Sequence, residues 1–126
     1  MDYKHYYASN YYGLSGKAKM QAEIMKYGPI SCGIEVTDKF EDYKGGIYAE
    51  KNSFPMINHI ISVVGWGHDE ASGQDFWIGR NSWGTYWGES GFFRMIMGRD
   101  GLGIETDCSA GIPTFTKPSE DEIIIQ

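Results

Sequence analysis

Apolar residues recur at helical spacing near the start of the chain and predict one amphipathic helix there. The stripe consists of Met20, Ile24 and Tyr27, widened by Ala18, Ala22 and Met25. Ser15 can cap the first turn, and Gly28-Pro29 ends the helical pattern because proline cannot continue it. The next stretch, 30–36, changes to period-two alternation and predicts a half-buried strand with Cys32 pointing inward.

Two further strands follow and predict a hairpin. The run 60–64 is apolar on both faces, which is typical of a strand in the middle of a sheet. A polar loop at 69–74 separates it from Phe76-Trp77-Ile78, the returning strand. Thr37 to Tyr43 predicts one helical turn, with Phe40 and Tyr43 inward.

Glycines punctuate the short apolar pieces after residue 83 and indicate more short strands. The predicted fold class is α+β, with an antiparallel, β-barrel-like sheet and one N-terminal amphipathic helix. We predict one domain over 1–113, with 1–11 as an extended arm or edge and 114–126 as a flexible tail.

Length and charge narrow the classes of function. The 126 residues suit one domain. With 11 basic against 17 acidic residues the net charge is -6, and no basic stripe is visible, so we expect no nucleic-acid partner. No apolar run approaches the length of a membrane span, and the start lacks the apolar core of a signal peptide, so we expect neither in this chain.

His59 and Asn81 are the candidate site residues. His59 opens one apolar strand and Asn81 closes the next, so two antiparallel strands could bring the imidazole and the amide together. A lone histidine beside a strand is usually structural. The run Asn81-Ser82-Trp83-Gly84, followed by Trp87-Gly88, favours a functional site at His59 and Asn81 instead. A structural or ligand-binding barrel would not explain why that run is present.

At these residues the chain resembles the papain-like cysteine peptidases, most of all the cathepsin X (also called cathepsin Z) branch. The resemblance covers about 12–113. It includes three further segments in the family's order: Gly28-Pro29-Ile30-Ser31-Cys32-Gly33-Ile34, Tyr43-Lys44-Gly45-Gly46-Ile47-Tyr48-Ala49-Glu50 and Gly103-Ile104-Glu105. It implies the C-terminal half of a papain-like fold.

The resemblance also implies roles for individual residues. His59 would be the general base, Asn81 would orient it, and Trp83 would shield their hydrogen bond on the leaving-group side. The implied substrate pocket comprises Gly33, Asn58, Ile60 and Asp107. Two alternatives remain open: Gly33 could mark a β-bulge, and Asp107 could be a solvated surface acid.

The two cysteines, Cys32 and Cys108, are too few and too far apart for a zinc site, which leaves a disulfide or two buried thiols. The resemblance implies that they pair, and with that an oxidising compartment, lysosomal or secreted. Neither lies in the Cys-Gly-Ser-Cys-Trp-like run that holds the family's nucleophile. We therefore expect the nucleophile to be absent from this chain.

Two hypotheses of function follow. The first is half of a cathepsin X-like cysteine carboxypeptidase, inactive alone, that acts on a peptide or protein with an N-terminal half carrying the cysteine. The second is a stand-alone, non-catalytic pseudo-peptidase or protein-binding half-domain. Neither requires a cofactor or metal. An isolated half should expose apolar surface and tend to self-associate.

Overall fold

The computed structural model describes residues 7–114, which form seven strands and two α-helices. The strands are β1 (Tyr7–Leu14), β2 (Ile30–Ile34), β3 (Ile47–Tyr48), β4 (His59–Asp69), β5 (Gln74–Arg80), β6 (Phe92–Ile96) and β7 (Cys108–Thr114). The helices are α1 (Lys17–Tyr27) and α2 (Asp38–Glu41), and a 3₁₀ turn covers Gly101–Gly103.

The strands form one sheet in the order β1-β7-β2-β4-β5-β6-β3. β4 therefore lies in the middle, as its two apolar faces predicted. Neighbouring strands pair antiparallel except β3 and β6, which are parallel. The predicted α+β class is confirmed, and the hairpin joins β4 to β5 at the predicted polar loop.

The hydrophobic core lies on the inner face of this sheet. Its largest fully buried side chains are Trp77, Phe40, Phe93, Met20, Ile34 and Met95. The predicted inward positions of Phe40 and Tyr43 are confirmed, since both are buried. Thr37 begins α2 by accepting a hydrogen bond from the Phe40 amide at 3.2 Å, which fixes Phe40 toward the core.

Helix α1 differs from the prediction at its start and in its buried face. Ser15 does not cap it: the N-cap is Gly16, whose amide donates to the Glu105 carbonyl at 2.7 Å. This bond ties the start of the helix to a distant part of the fold, and no side chain caps the first turn. Only Met20 is buried in α1, so the predicted widening of the stripe is wrong. The exposed members of that stripe are Ala18, Ala22, Met25 and Tyr27.

The chain ends bear on the predicted arm and tail. Residues 7–11 lie in β1, an edge strand that pairs with β7. Residues 1–6 of the predicted arm and 115–126 of the predicted tail lie outside the described residues.

Cys32 and Cys108 are bonded to each other in the core. They are directly opposite in β2 and β7, with Cα atoms 4.0 Å apart, and both are buried. The predicted disulfide is confirmed, and it ties the sheet across 76 positions of sequence.

Candidate active site

His59 and Asn81 meet at one end of the central hairpin. β4 begins at His59 and β5 ends at Arg80, so antiparallel pairing brings the two ends together. Side chains alternate between the faces of a strand. His59 is two positions from buried Ile61, and Asn81 is four positions from buried Trp77. Each therefore points to the same face as its buried neighbour, so both lie on the inner side of the sheet.

The two side chains form a hydrogen bond that orients the imidazole. His59 Nε2 lies 2.8 Å from Asn81 Oδ1, within ordinary hydrogen-bond distance. The same Oδ1 accepts from the Ser82 backbone amide at 2.8 Å. A backbone N–H can only donate, so this atom is the amide oxygen and the ring nitrogen must be the donor. In the neutral ring the proton therefore lies on Nε2, which leaves the Nδ1 lone pair free to accept a proton.

The other end of the Asn81 amide has no hydrogen-bond partner among residues 7–114. Asn81 is 6% exposed, and its Nδ2 is a buried donor with no acceptor within residues 7–114. The Nδ2 donor of Asn81 is therefore not used by any acceptor within the described residues.

Trp83 packs against the ring of His59. Its ring centroid is 5.1 Å from that of His59, with the planes 30° apart. Gly84 and Gly88 have φ of 90° and 58°, a region that other residues rarely adopt, and they let the loop after Asn81 fold Trp83 back onto the histidine. Trp83 is 38% exposed, so the rest of its surface is covered by packing against its neighbours, His59 among them.

Trp87, for which no role was predicted, anchors this loop to the core. Its indole nitrogen donates to the Glu41 carbonyl at 3.0 Å, and its ring lies 5.2 Å from Phe40 and 5.1 Å from Trp83. Its spacing four residues after Trp83 is the signal that could have indicated this pairing. The contacts connect α2 to Trp83 and so to His59.

Charged and phenolic groups brace the far side of the same loop. Arg94 donates two hydrogen bonds to Glu89, at 2.9 and 3.0 Å, and this guanidinium lowers the pKa of the Glu89 carboxyl. Burial, together with a hydrogen bond to Glu89, raises the pKa of Tyr43 to about 12. Tyr43 therefore stays neutral and donates its hydroxyl to this network at neutral pH.

Three of the four predicted pocket residues line one cavity of about 320 Å³. Gly33, Ile60 and Asp107 contribute to its wall, and the other lining residues are Tyr11, Pro29, Ser31, Ser109, Ala110 and Gly111. Gly33 pairs with Ile60 in regular register, so no bulge is present there. A Cβ at Gly33 would lie 2.5 Å from Ile57 Cγ2 and 3.3 Å from Asp107 Oδ2, which explains the glycine by close approach.

Asn58, the fourth predicted pocket residue, does not line this cavity. Its side chain accepts from the Val36 amide at 2.7 Å and donates to the Val36 carbonyl at 3.3 Å. Both ends of the amide are therefore used to hold the segment before His59 against the end of β2. Asn58 therefore has a structural contact with the backbone of Val36 and does not reach the wall of the cavity.

Glu105, within the third resembling segment, is a structural anchor. Its carboxylate accepts from the Trp77 indole at 2.8 Å and from the Gly98 amide at 2.6 Å. Within residues 7–114, no group of three or more potential ligands is placed to hold a metal ion. In the same part of the chain, no helix is long and apolar enough to cross a membrane.

Comparison with known proteins identifies the family. Residues 2–112 match the family described as papain family cysteine protease, and the chain belongs to that family. It is similar to Cathepsin Z of Onchocerca volvulus, with 50% identity over 114 residues that cover 85% of this chain and 37% of that protein. It is also 39% identical over 109 residues to Cathepsin C of Schistosoma mansoni, covering 79% of this chain and 24% of that protein.

Solved structures agree with this assignment and confirm the papain-like fold. Digestive procathepsin L 3 of Tenebrio molitor is 38% identical with a TM-score of 0.74, covering 83% of this chain and 35% of that one. Procathepsin B S9 of Trypanosoma congolense is 28% identical with a TM-score of 0.77, covering 88% of this chain and 38% of that one. This chain therefore spans about a third of each of these two solved chains.

Proposed function

We propose that this chain supplies the base and its orienting amide to a papain-like cysteine peptidase site, and that the thiol comes from a segment outside the chain. The observation that carries the proposal is the bond from His59 Nε2 to Asn81 Oδ1, which leaves Nδ1 available. A thiol next to an imidazole loses its proton readily, because the imidazolium stabilises the thiolate.

The roles follow from this geometry. His59 Nδ1 takes the proton of the thiol, and the thiolate attacks the carbonyl carbon of the scissile peptide bond. His59 then gives that proton to the leaving nitrogen, and water hydrolyses the thioester. Asn81 keeps the ring in one tautomer, and Trp83 limits the access of water to the bond that does so.

The chain's own two cysteines do not fit the nucleophile's role. Cys32 and Cys108 are bonded to each other and buried in the core, so neither presents a thiol to His59. We infer that the chain alone does not hydrolyse peptides and that it requires a cysteine-bearing partner segment. The disulfide supports an oxidising compartment, lysosomal or secreted.

The cavity beside Ile60 is the proposed substrate pocket. Asp107 lies at its wall, and its carboxylate would favour a basic substrate side chain. Asp107→Asn should therefore reduce the preference for peptides with lysine or arginine at the pocket position while leaving turnover of neutral peptides unchanged. An unchanged preference would make Asp107 a surface acid.

The proposed function can be tested by complementation. The 126-residue chain is mixed with the separately produced remainder of Onchocerca volvulus Cathepsin Z, the part outside the segment matched here, and assayed with peptides. We expect hydrolysis in the mixture and none by either part alone. An electrophilic epoxide that alkylates thiols should label the added remainder and not this chain.

Two arms of the same assay separate the alternatives. The carboxypeptidase action that the family resemblance implies predicts release of single residues from peptides with a free C-terminal carboxylate and much slower release from C-terminally amidated peptides. Equal rates on both would indicate endopeptidase action. Stable association without hydrolysis in any arm would favour the non-catalytic protein-binding half-domain.

A further inference from the structure

A groove of about 490 Å³ lies between helix α1 and the edge strand β1. It is lined by one face of α1 between Lys19 and Tyr27, by β1 between Asn10 and Leu14, and by Ile112 of β7. We call it the α1–β1 groove. None of its lining residues belongs to the wall of the proposed substrate pocket, so this groove is a separate feature of the fold.

The α1–β1 groove exposes part of the apolar stripe that the sequence predicts along α1. Ala22 is exposed and Tyr27 is 45% exposed. On the opposite side, Leu14 and Ile112 are only partly buried. Apolar side chains at helical spacing ordinarily pack against another element. The groove therefore offers both the volume and the apolar surface for one further segment of chain.

The charge of the α1–β1 groove is positive in a chain whose net charge is -6. Lys19 and Lys26 lie on one face of α1, seven positions or about 10 Å apart. Within residues 7–114 neither lysine forms an ion pair, and Lys26 Nζ lies 5.0 Å from the centroid of the Tyr27 ring. Glu23 accepts the hydroxyl of Tyr12. A segment with several carboxylates would complement the two lysines.

The sequence of this chain contains a segment of that composition directly after β7. Residues 115–126 lie outside the described residues and include Glu120-Asp121-Glu122, followed at once by Ile123-Ile124-Ile125. The described chain ends at Thr114, two positions after Ile112 in the groove wall. The six residues 115–120 can span about 20 Å when extended, which exceeds the distance between the two lysines.

We propose that residues 120–125 dock in the α1–β1 groove of the same chain. The acidic run pairs with Lys19 and Lys26, and the three isoleucines cover the apolar surface at Leu14 and Ala22. This inference goes beyond the proposed function and does not depend on it. The docked segment holds α1 against the edge strand β1.

The path from β7 to the groove requires the chain to turn back. Thr114 lies opposite Tyr7, whereas Ile112 lies opposite Asn10, so β7 runs past the groove before the described chain ends. Pro118-Ser119 is a composition typical of turns, because proline fixes its own φ and serine can bond to the nearby backbone. The turn falls between the end of β7 and the acidic run.

The direct test is a carbodiimide cross-link in the full 126-residue chain, since this reagent joins a carboxylate to a lysine without a spacer. Peptide mass spectrometry should locate links from residues 120–122 to Lys19 or Lys26. Lys44 and Lys51 are exposed lysines outside the groove and should not be linked to these residues. In an equimolar mixture of ¹⁵N-labelled and unlabelled chain, every such link should join two peptides of the same isotopic form.

Cleavage after Glu120 by a glutamate-specific protease measures how much of the time the segment is docked. The rate is compared with that of a synthetic peptide of residues 115–126. Lys19→Gln/Lys26→Gln should raise the rate about two- to thirtyfold, the range that two exposed ion pairs supply, and less so at high salt. Lys44→Gln/Lys51→Gln makes the same change in net charge and should leave the rate unchanged.

An apolar variant separates the two parts of the proposed contact. Ile125→Ser should raise the rate of cleavage after Glu120 at both salt concentrations, because salt screens charges and not apolar packing. Its rate is compared with that of a synthetic peptide that carries the same substitution, so that any change in the protease's own preference is removed.

Four outcomes would overturn the proposal. The first is the absence of a cross-link from residues 120–122 to Lys19 or Lys26, and the second is equally frequent links to Lys44 and Lys51. The third is links between the two isotopic forms, which would place a second copy of the chain in the groove. The fourth is cleavage of the unmutated chain as fast as that of the synthetic peptide, which would support the predicted flexible tail instead.

Discussion

Reduction of the disulfide between Cys32 and Cys108 should remove a large part of the stability of this domain. The bond closes a loop across a sequence separation of 76 residues. The chain-entropy relation for a loop of that size gives about 4.5 kcal/mol at 25 °C, because the cross-link restricts the unfolded chain. Small domains have total stabilities of about 5–15 kcal/mol, so this is a substantial share.

Urea unfolding of the oxidised and the reduced chain measures this contribution directly, because both forms have the same side chains in the same core. With m of about 2 kcal/mol/M, a loss of 4.5 kcal/mol lowers the midpoint by about 2 M. Cys32→Ala/Cys108→Ala is the control, and its unfolding should be insensitive to reductant. A midpoint that does not move on reduction of the unmutated chain would refute the argument that this bond restricts the unfolded state.

Three further predictions concern the hydrogen bond between His59 and Asn81, the loss of stability at alkaline pH and the packing of the core at Gly79. Asn81→Ala should change the ratio of the two neutral His59 tautomers about two- to tenfold in favour of the Nδ1-protonated form, because it removes one hydrogen bond worth about 0.5–1.5 kcal/mol. ¹⁵N NMR measures this ratio. An unchanged ratio would contradict the orienting role of Asn81. In the folded protein the pKa of Tyr43 is raised from its ordinary value of 10 to about 12, so its contribution to stability is present below pH 10 and is lost between pH 10 and 12. The free energy of unfolding, measured with denaturant, should therefore fall less steeply over that pH range in Tyr43→Phe than in the unmutated chain. Equal slopes would show that Tyr43 does not contribute to the alkaline loss of stability. Gly79→Ala should cost about 1–3 kcal/mol in urea unfolding because its Cβ would lie 2.2 Å from a core phenylalanine ring, whereas Gly65→Ala, with no atom within 4 Å, should cost little.

Local patterns in the sequence were sufficient for strands β2, β4 and β5 and for the histidine–asparagine pair. Alternation placed Cys32 inward, and the two-sided apolar run placed β4 at the centre of the sheet. The pairing of His59 with Asn81 followed from the ends of two antiparallel strands, which the polar loop between them made predictable. These features depend on neighbours that are close in sequence or joined by a short turn.

The features that sequence did not predict depend on distant contacts. The start of α1 is set by the bond from Gly16 to the Glu105 carbonyl, across most of the chain, and Ser15 is left without a capping role. Asn58 lies beside His59 in sequence, but both ends of its side-chain amide form hydrogen bonds with the backbone of Val36. No local pattern in the sequence indicates that the backbone of Val36 bonds to the Asn58 side chain.

The parallel pairing of β3 with β6 was also beyond local patterns. Short glycine-bounded runs predicted antiparallel strands, and Ile47–Tyr48 instead lies parallel to β6 at the sheet edge. A two-residue strand carries no alternation from which its direction could be inferred.

The measurement that tests the proposed function most directly compares two histidine variants in the complementation assay. His59→Gln should lower kcat by about 100-fold or more, because general base catalysis contributes about 10²–10⁴ and the base acts as a unit with the thiol. His68→Gln removes an exposed histidine on the same strand, one that contacts Asp75 instead, and should leave kcat unchanged. Equal kcat values for both variants and the unmutated chain would contradict the assignment of His59 as the base.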